Sequence, residues 1–172
     1  ISGRGGSPDT AKVYLYFGGE NLDAIPDFIF YQEGSAASAF GYSAKFAGDV
    51  NSDGYEDIII GDYNFNSLRG KAYIYFGGPN IDNIADIILN GEAANNYFGL
   101  SVSPAGDVNN DGYDDIIVGA YGYNTNMGRV YIYYGGNPMN ATADVIVTAT
   151  TASTNFGQVV SNAGDVNGDG YD

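Results

Sequence analysis

One nine-residue pattern, Asp-x-Asn-x-Asp-Gly-Tyr-x-Asp, begins at Asp49 and again at Asp107, and its first eight positions return at Asp165, 58 residues apart each time. A period of that length marks repeated supersecondary units, each too small to bury its apolar face alone. Other landmarks keep that spacing to within one residue. Phe-Gly pairs fall at Phe40-Gly41, Phe98-Gly99 and Phe156-Gly157. Strand-like segments ending in Gly-Gly occupy residues 12–19 (KVYLYFGG), 71–78 (KAYIYFGG) and 129–136 (RVYIYYGG). Apolar runs at residues 57–61 (DIIIG) and 115–119 (DIIVG) directly follow the first two acidic segments.

One repeat therefore reads as four short strands. The first leads from the Phe-Gly pair into the acidic segment, which acts as a hairpin. The second is the Ile-rich run, whose unbroken apolar character predicts burial on both faces. The third is the V-Y-I-Y segment, and the fourth is residues 85–89 (ADIIL) or 143–148 (ADVIVT). No segment has a 3.6-residue apolar period over a helical length. Together these signals predict an all-β chain of β-propeller blades, each of four antiparallel strands, with about three blades of 58 residues. The expected division is a half blade at 1–34, blades at 35–92 and 93–150, and a half blade at 151–172. A closed propeller needs about four to eight blades. The chain is thus expected either to be a piece of a longer array or to pair its half blades between copies. Head-to-tail pairing of that kind gives a ring if it closes and a filament if it does not.

The acidic hairpins are candidate calcium sites. Calcium takes six to eight hard oxygen ligands and tolerates loose geometry. In the first loop Asp49, Asn51 and Asp53 alternate along a chain that Gly54 lets turn sharply. Tyr55 offers its carbonyl and Asp57 closes the set. The second loop repeats this with Asp107, Asn109, Asp111, Tyr113 and Asp115, and the third with Asp165, Asn167, Asp169 and Tyr171, ending at Asp172 before a closing Asp. An EF-hand begins in the same way but needs Glu at position twelve and a following helix. Here position twelve is Ile60 or Val118, and β-branched strands follow. The plain alternative is a set of turn loops, since Asp, Asn and Gly favour turns for their own reasons. Magnesium suits the set less well, because it keeps several waters and few carboxylates.

Composition narrows the partners. The net charge is −15, and eleven of the 21 acidic residues lie in the three loops. A nucleic-acid partner is not expected, since phosphate binding needs a basic surface. Packing like charges together is costly unless a cation neutralises them. The absence of Cys and His removes disulfides, thiol chemistry, zinc fingers and His catalysis. Neither a signal-peptide pattern nor a membrane-spanning apolar run is legible, and the start at Ile1 reads as a mature or excised segment.

The order Phe-Gly, A-G-D-V-N-x-D-G-Y-x-D, I-I-x-G-A-Y, G-R-V-Y-I-Y, clearest over residues 98–136, resembles the FG-GAP repeat of integrin α-subunit propellers and their bacterial and archaeal relatives. The resemblance spans nearly the whole chain. It implies calcium-binding hairpins on propeller blades, an extracellular or cell-surface location, and a role in adhesion or recognition. The Gly-Ala-Pro of the family stands here as Gly61-Asp62-Tyr63 and Gly119-Ala120-Tyr121, so the turn after that strand is expected to differ.

The leading expectation is a non-enzymatic, calcium-binding extracellular β-propeller module for adhesion, recognition or assembly, with a protein or carbohydrate ligand. The alternatives are a subunit of an extracellular filament or ring built by completing blades between chains, and a part of a polysaccharide-degrading enzyme with a carboxylate pair. Tyr14, Tyr16, Tyr73, Tyr75, Tyr131 and Tyr133 alternate along strands, so each pair shares a face for packing between blades or for stacking sugars. Tyr121 and Tyr123 beside a Gly/Asn-rich loop are candidate ligand contacts. Asn140-Ala141-Thr142 is a glycosylation sequon.

Overall fold

The computed structural model describes residues 2–4, 11–19, 23–32 and 38–172. The expected boundary at 34/35 lies outside them. The chain forms three antiparallel sheets, each a meander of neighbouring strands. The first holds β1 (Ser2–Arg4), β2 (Ala11–Leu15) and β3 (Phe28–Tyr31). The second holds β4 (Ser43–Gly48), β5 (Asp57–Asp62), β6 (Lys71–Tyr75) and β7 (Ile87–Asn90). The third holds β8 (Val102–Gly106), β9 (Asp115–Ala120), β10 (Arg129–Tyr133) and β11 (Val145–Thr148). Among the described residues no sheet closes on itself. Among the described residues no helix is long and apolar enough to cross a membrane.

The two cores lie between sheets, as the residue pattern requires. All six residues of β5 are buried, which is why that run is apolar on both faces. Ile58 and Ile60 face back and join Val13 and Phe30 of the first sheet, with Tyr73 and Tyr75. Ile59 faces forward, with Ala72 and Ile74, and meets Phe98 together with Val102, Ile116 and Tyr131 of the third sheet. The period-2 geometry of a strand thus divides each segment between two cores. Tyr73, Tyr75, Tyr131 and Tyr133 are buried packing residues.

Several details differ from the strand reading. The first strands of the two four-stranded sheets start at Ser43 and Val102, two or three residues after the Phe-Gly pairs, which lie outside them. Register breaks between Phe46 and Gly48 and between Pro104 and Gly106 mark a β-bulge just before each acidic hairpin. Pro104 is tolerated because β8 is the edge strand of its sheet. Short helical turns, Phe65–Leu68 and Tyr123–Asn126, follow β5 and β9. Each has successive left-handed residues, including Asn66 and Ser67 in one and Asn124 and Thr125 in the other.

The Phe-Gly pair joins one repeat to the one before. Phe98 places its ring on Tyr131 of its own sheet, centroids 5.3 Å apart, and Phe40 does the same with Tyr73 at 5.5 Å. The backbone at Phe98 meanwhile bridges Gly70 of the preceding repeat, and Phe156 bridges Gly128. Gly61 and Gly119 face the carbonyls of Gly99 and Gly157 so closely that a Cβ would strike them. A side chain at either glycine would push two sheets apart.

Candidate metal centre

Each of the first two acidic hairpins follows a bulge and precedes a buried strand, so its two ends are fixed. Within the first loop the Asp53 N–H donates to Asp49 Oδ1 and to Asn51 Oδ1, both at 2.9 Å, and the Gly54 N–H donates to Asp49 Oδ2 at 2.8 Å. Asn51 Nδ2 donates to Asp53 Oδ2, and the Tyr55 N–H donates to Asp53 Oδ1. The second loop repeats the pattern with Asp107, Asn109, Asp111, Gly112 and Tyr113. The third repeats it with Asp165, Asn167, Asp169, Gly170 and Tyr171, although no strand follows. The curl is therefore local. Side-chain oxygens bonding backbone N–H groups two to five residues on impose it.

The closing aspartates stand deeper. Asp57 Oδ2 accepts the Val50 N–H (2.9 Å) and Oδ1 the Gly77 N–H (2.8 Å). Asp115 accepts those of Val108 and Gly135 at the same distances. Both are fully buried. Burial pushes each carboxyl up to about 6; the two N–H donors pull it down, and the neighbouring loop aspartates push it up further. In the exposed third loop, backbone N–H groups, that of Gly170 foremost, hold Asp165 below the usual range.

Asp49, Asn51, Asp53, Tyr55 and Asp57 thus share one hairpin, as do Asp107, Asn109, Asp111, Tyr113 and Asp115. Among the described residues, however, no three acidic side chains converge on one point. Their oxygens accept backbone N–H bonds instead. The donor set still fits a hard divalent cation: every ligand type is oxygen, and the like-charge repulsion on Asp57 and Asp115 is of the kind a cation relieves. The residues that would hold it are those five in each of the first two loops, and Asp165, Asn167, Asp169 and Tyr171 in the third.

The eighth position of the pattern, variable in the sequence reading, has a role of its own. Asp114 reaches the preceding hairpin: its Oδ2 accepts the Asp49 N–H at 2.8 Å, and its N–H donates to the Asp49 carbonyl at 3.3 Å. Asp172 treats Asp107 in the same way, at 3.2 and 3.4 Å. Gly48 and Gly106 lie under these carboxylates, with positive φ and no room for a Cβ. An acid at this position in every copy (Glu56, Asp114, Asp172) was the available signal. Asp62 was also missed. It is buried, and it takes the Ala39 N–H and the Ser38 hydroxyl just ahead of the first Phe-Gly pair.

The opposite ends of the strands carry an aromatic row. Tyr42, Tyr63, Tyr97 and Tyr121 are in successive ring contact, at 5.0, 6.1 and 4.7 Å. Tyr121 is thus held within the row, and the Arg129 guanidinium covers Tyr123 at 3.6 Å. Tyr42, the exposed end of the row, is the most open of the four. Arg129 also pairs with Glu92, which accepts the Tyr131 hydroxyl.

Sheets stacked in series, the second and third each with an acidic, all-oxygen hairpin at one end, and Phe-Gly pairs bridging back to the repeat before at Gly70 and Gly128, define a β-repeat protein. Residues 98–133, from the second Phe-Gly pair through β10, match the FG-GAP repeat family. No curated protein matches the chain.

Proposed function

We propose that the chain is a calcium-stabilised set of β-propeller blades that acts outside the cell or at its surface, in adhesion, recognition or assembly, without catalysis of its own. The observation that supports this best is the threefold recurrence of one hydrogen-bonded acidic hairpin in an FG-GAP context. Calcium bound by the five oxygen-donor residues of a loop offsets the carboxylate repulsion there and ties the bulge to the following strand. With calcium ten- to a hundredfold above Kd, each filled site adds roughly 1.4–2.7 kcal/mol to folding. The carboxyls raised most, Asp57 and Asp115, are clasped by backbone inside the hairpins, which suits a structural role better than proton transfer. A protein or carbohydrate ligand would meet the aromatic row at its Tyr42 end.

The test is thermal unfolding with millimolar calcium and with chelator, on the parent chain and on Asp111→Ala. Calcium should raise the melting temperature of the parent by several degrees and that of the variant by less. Identical melting of both proteins in both conditions would overturn the structural role of calcium.

An assembling subunit is the second reading. It is favoured by the link that one repeat offers the hairpin before it, made at Asp49–Asp114 and again at Asp107–Asp172.

A further inference from the structure

At the strand ends opposite the hairpins, the rings of Tyr63, Tyr97 and Tyr121 run in contact across the joint between the second and third repeats. Tyr63 and Tyr97 are stacked at 6.1 Å and 25°, and Tyr97 and Tyr121 lie 4.7 Å apart at 33°. Each of the three is half-buried. Tyr97 is held there under backbone strain. Its φ is 55°, a left-handed conformation that is an outlier for a bulky side chain. The same position in the next copy is Asn155, φ 53°, a residue that tolerates the conformation. Hydrogen bonds over-determine the segment. The Asn95 and Tyr97 N–H groups donate to the Ser67 and Leu68 carbonyls at 3.0 and 2.8 Å, and the Gly122 N–H donates to the Asn96 carbonyl at 3.1 Å. Gly122, next to Tyr121, leaves the space that the Tyr97 ring uses: a Cβ there would come within 2.6 Å of Tyr97 Cδ2.

Packing alone does not account for this arrangement, because phenylalanine would fill the same space. Here the hydroxyls meet. That of Tyr121 is hydrogen-bonded to that of Tyr97, and burial together with the Tyr97, Tyr63 and Tyr42 oxygens keeps it protonated above the ordinary tyrosine range. When two such rings lie nearly face to face, the carbons beside the bonded hydroxyls are neighbours too. Those ortho carbons carry the unpaired spin of a phenol that has lost an electron and a proton. We propose that Tyr97 and Tyr121 form an oxidative cross-linking site, closed by a Cε–Cε bond as dityrosine. The oxidant is hydrogen peroxide acting through a peroxidase. It takes one electron from each phenol, and each hydroxyl proton leaves. The two radicals pair to form the carbon–carbon bond, and the hydrogen on each bonded carbon moves as a proton to its oxygen, restoring two phenols. Two tyrosines and one peroxide thus give one dityrosine and two waters. With 16 tyrosines and no cysteine, the chain gains in this way the covalent staple that a disulfide would otherwise supply. The bond ties the segment entering the third repeat to the end of β9. It depends on neither calcium nor a partner.

The test treats the dilute chain with a haem peroxidase and hydrogen peroxide, and reads dityrosine fluorescence and the masses of proteolytic peptides. The expected product is a single chain lighter by two hydrogens, with the peptides carrying Tyr97 and Tyr121 joined. Tyr97→Phe and Tyr121→Phe keep the rings and should each lose most of the within-chain signal, while Tyr134→Phe, at the hairpin end of the strands, should keep it. Unfolding in urea before treatment should remove the preference for this pair. Within-chain dityrosine in Tyr97→Phe equal to the parent's, or links confined to other tyrosines or to pairs of chains, would overturn the site. A linked chain that melts no higher than the untreated one would overturn its role as a staple.

Discussion

Val50 and Val166 hold the same place in the same hairpin, yet one is wholly buried and the other 82% exposed. The Phe-Gly phenylalanines divide likewise: Phe98 is 1% exposed, and Phe156, in the third copy, is 38%. The hydrogen bonds inside the hairpins do not divide. Asp165 organises its loop as Asp49 and Asp107 do. A copy thus keeps its local shape without neighbours and gains its core only between two sheets. That is the behaviour of a quasi-one-dimensional array, in which much of the stability lies in the interfaces between repeats.

Charge at the buried and exposed valines should separate the copies most. Val50→Asp is expected to cost more than about 4 kcal/mol by placing an unpaired carboxylate in the core, and Val166→Asp less than about 0.5 kcal/mol in a single chain. Urea unfolding of the two variants side by side measures the difference. Equal losses would mean that the third hairpin is covered in the free chain.

A methyl group at the joint comes next. Gly61→Ala drives a Cβ against the Gly99 carbonyl and is expected to cost about 3 kcal/mol, whereas Gly18, with open space around it, should accept alanine with little change. Smaller again is the carboxylate link between hairpins. Asp114→Ala leaves the Asp49 N–H without its partner and should cost about 1–2 kcal/mol, against little for Glu56→Ala in dilute solution.

The pH dependence distinguishes a loaded hairpin from an empty one. The folded pKa of Asp57 and Asp115 lies near 6, above the usual 3.8. Between those values the folded state holds more protons than the unfolded one. Their contribution to stability is therefore full below about pH 4 and is lost as pH rises through 6. In chelator the slope is at most about 1.4 kcal/mol per pH unit for each carboxylate. Saturating calcium should flatten it, because a bound cation favours the ionised form. Chemical denaturation from pH 4 to 7, with and without calcium, checks both the sign and its removal.

Much of this was legible in the residues. Alternation and the 58-residue period give the strands, the Ile-rich run gives burial on both faces, and the aspartate-asparagine spacing gives the curl of the hairpins. These depend on bonds between near neighbours, so a local pattern suffices to set them. Which side of each sheet meets which other sheet was not legible. The partners of Asp62, Asp114 and Asp172 were not legible either, because they lie 23 to 65 residues away, and an acid repeated in one slot marks the position without showing what it bonds. Nor could the sequence distinguish Val50 from Val166. Their local contexts are nearly the same, and burial belongs to the neighbour that covers a side chain. Only the stacking of the sheets decided that one valine is core and the other is surface.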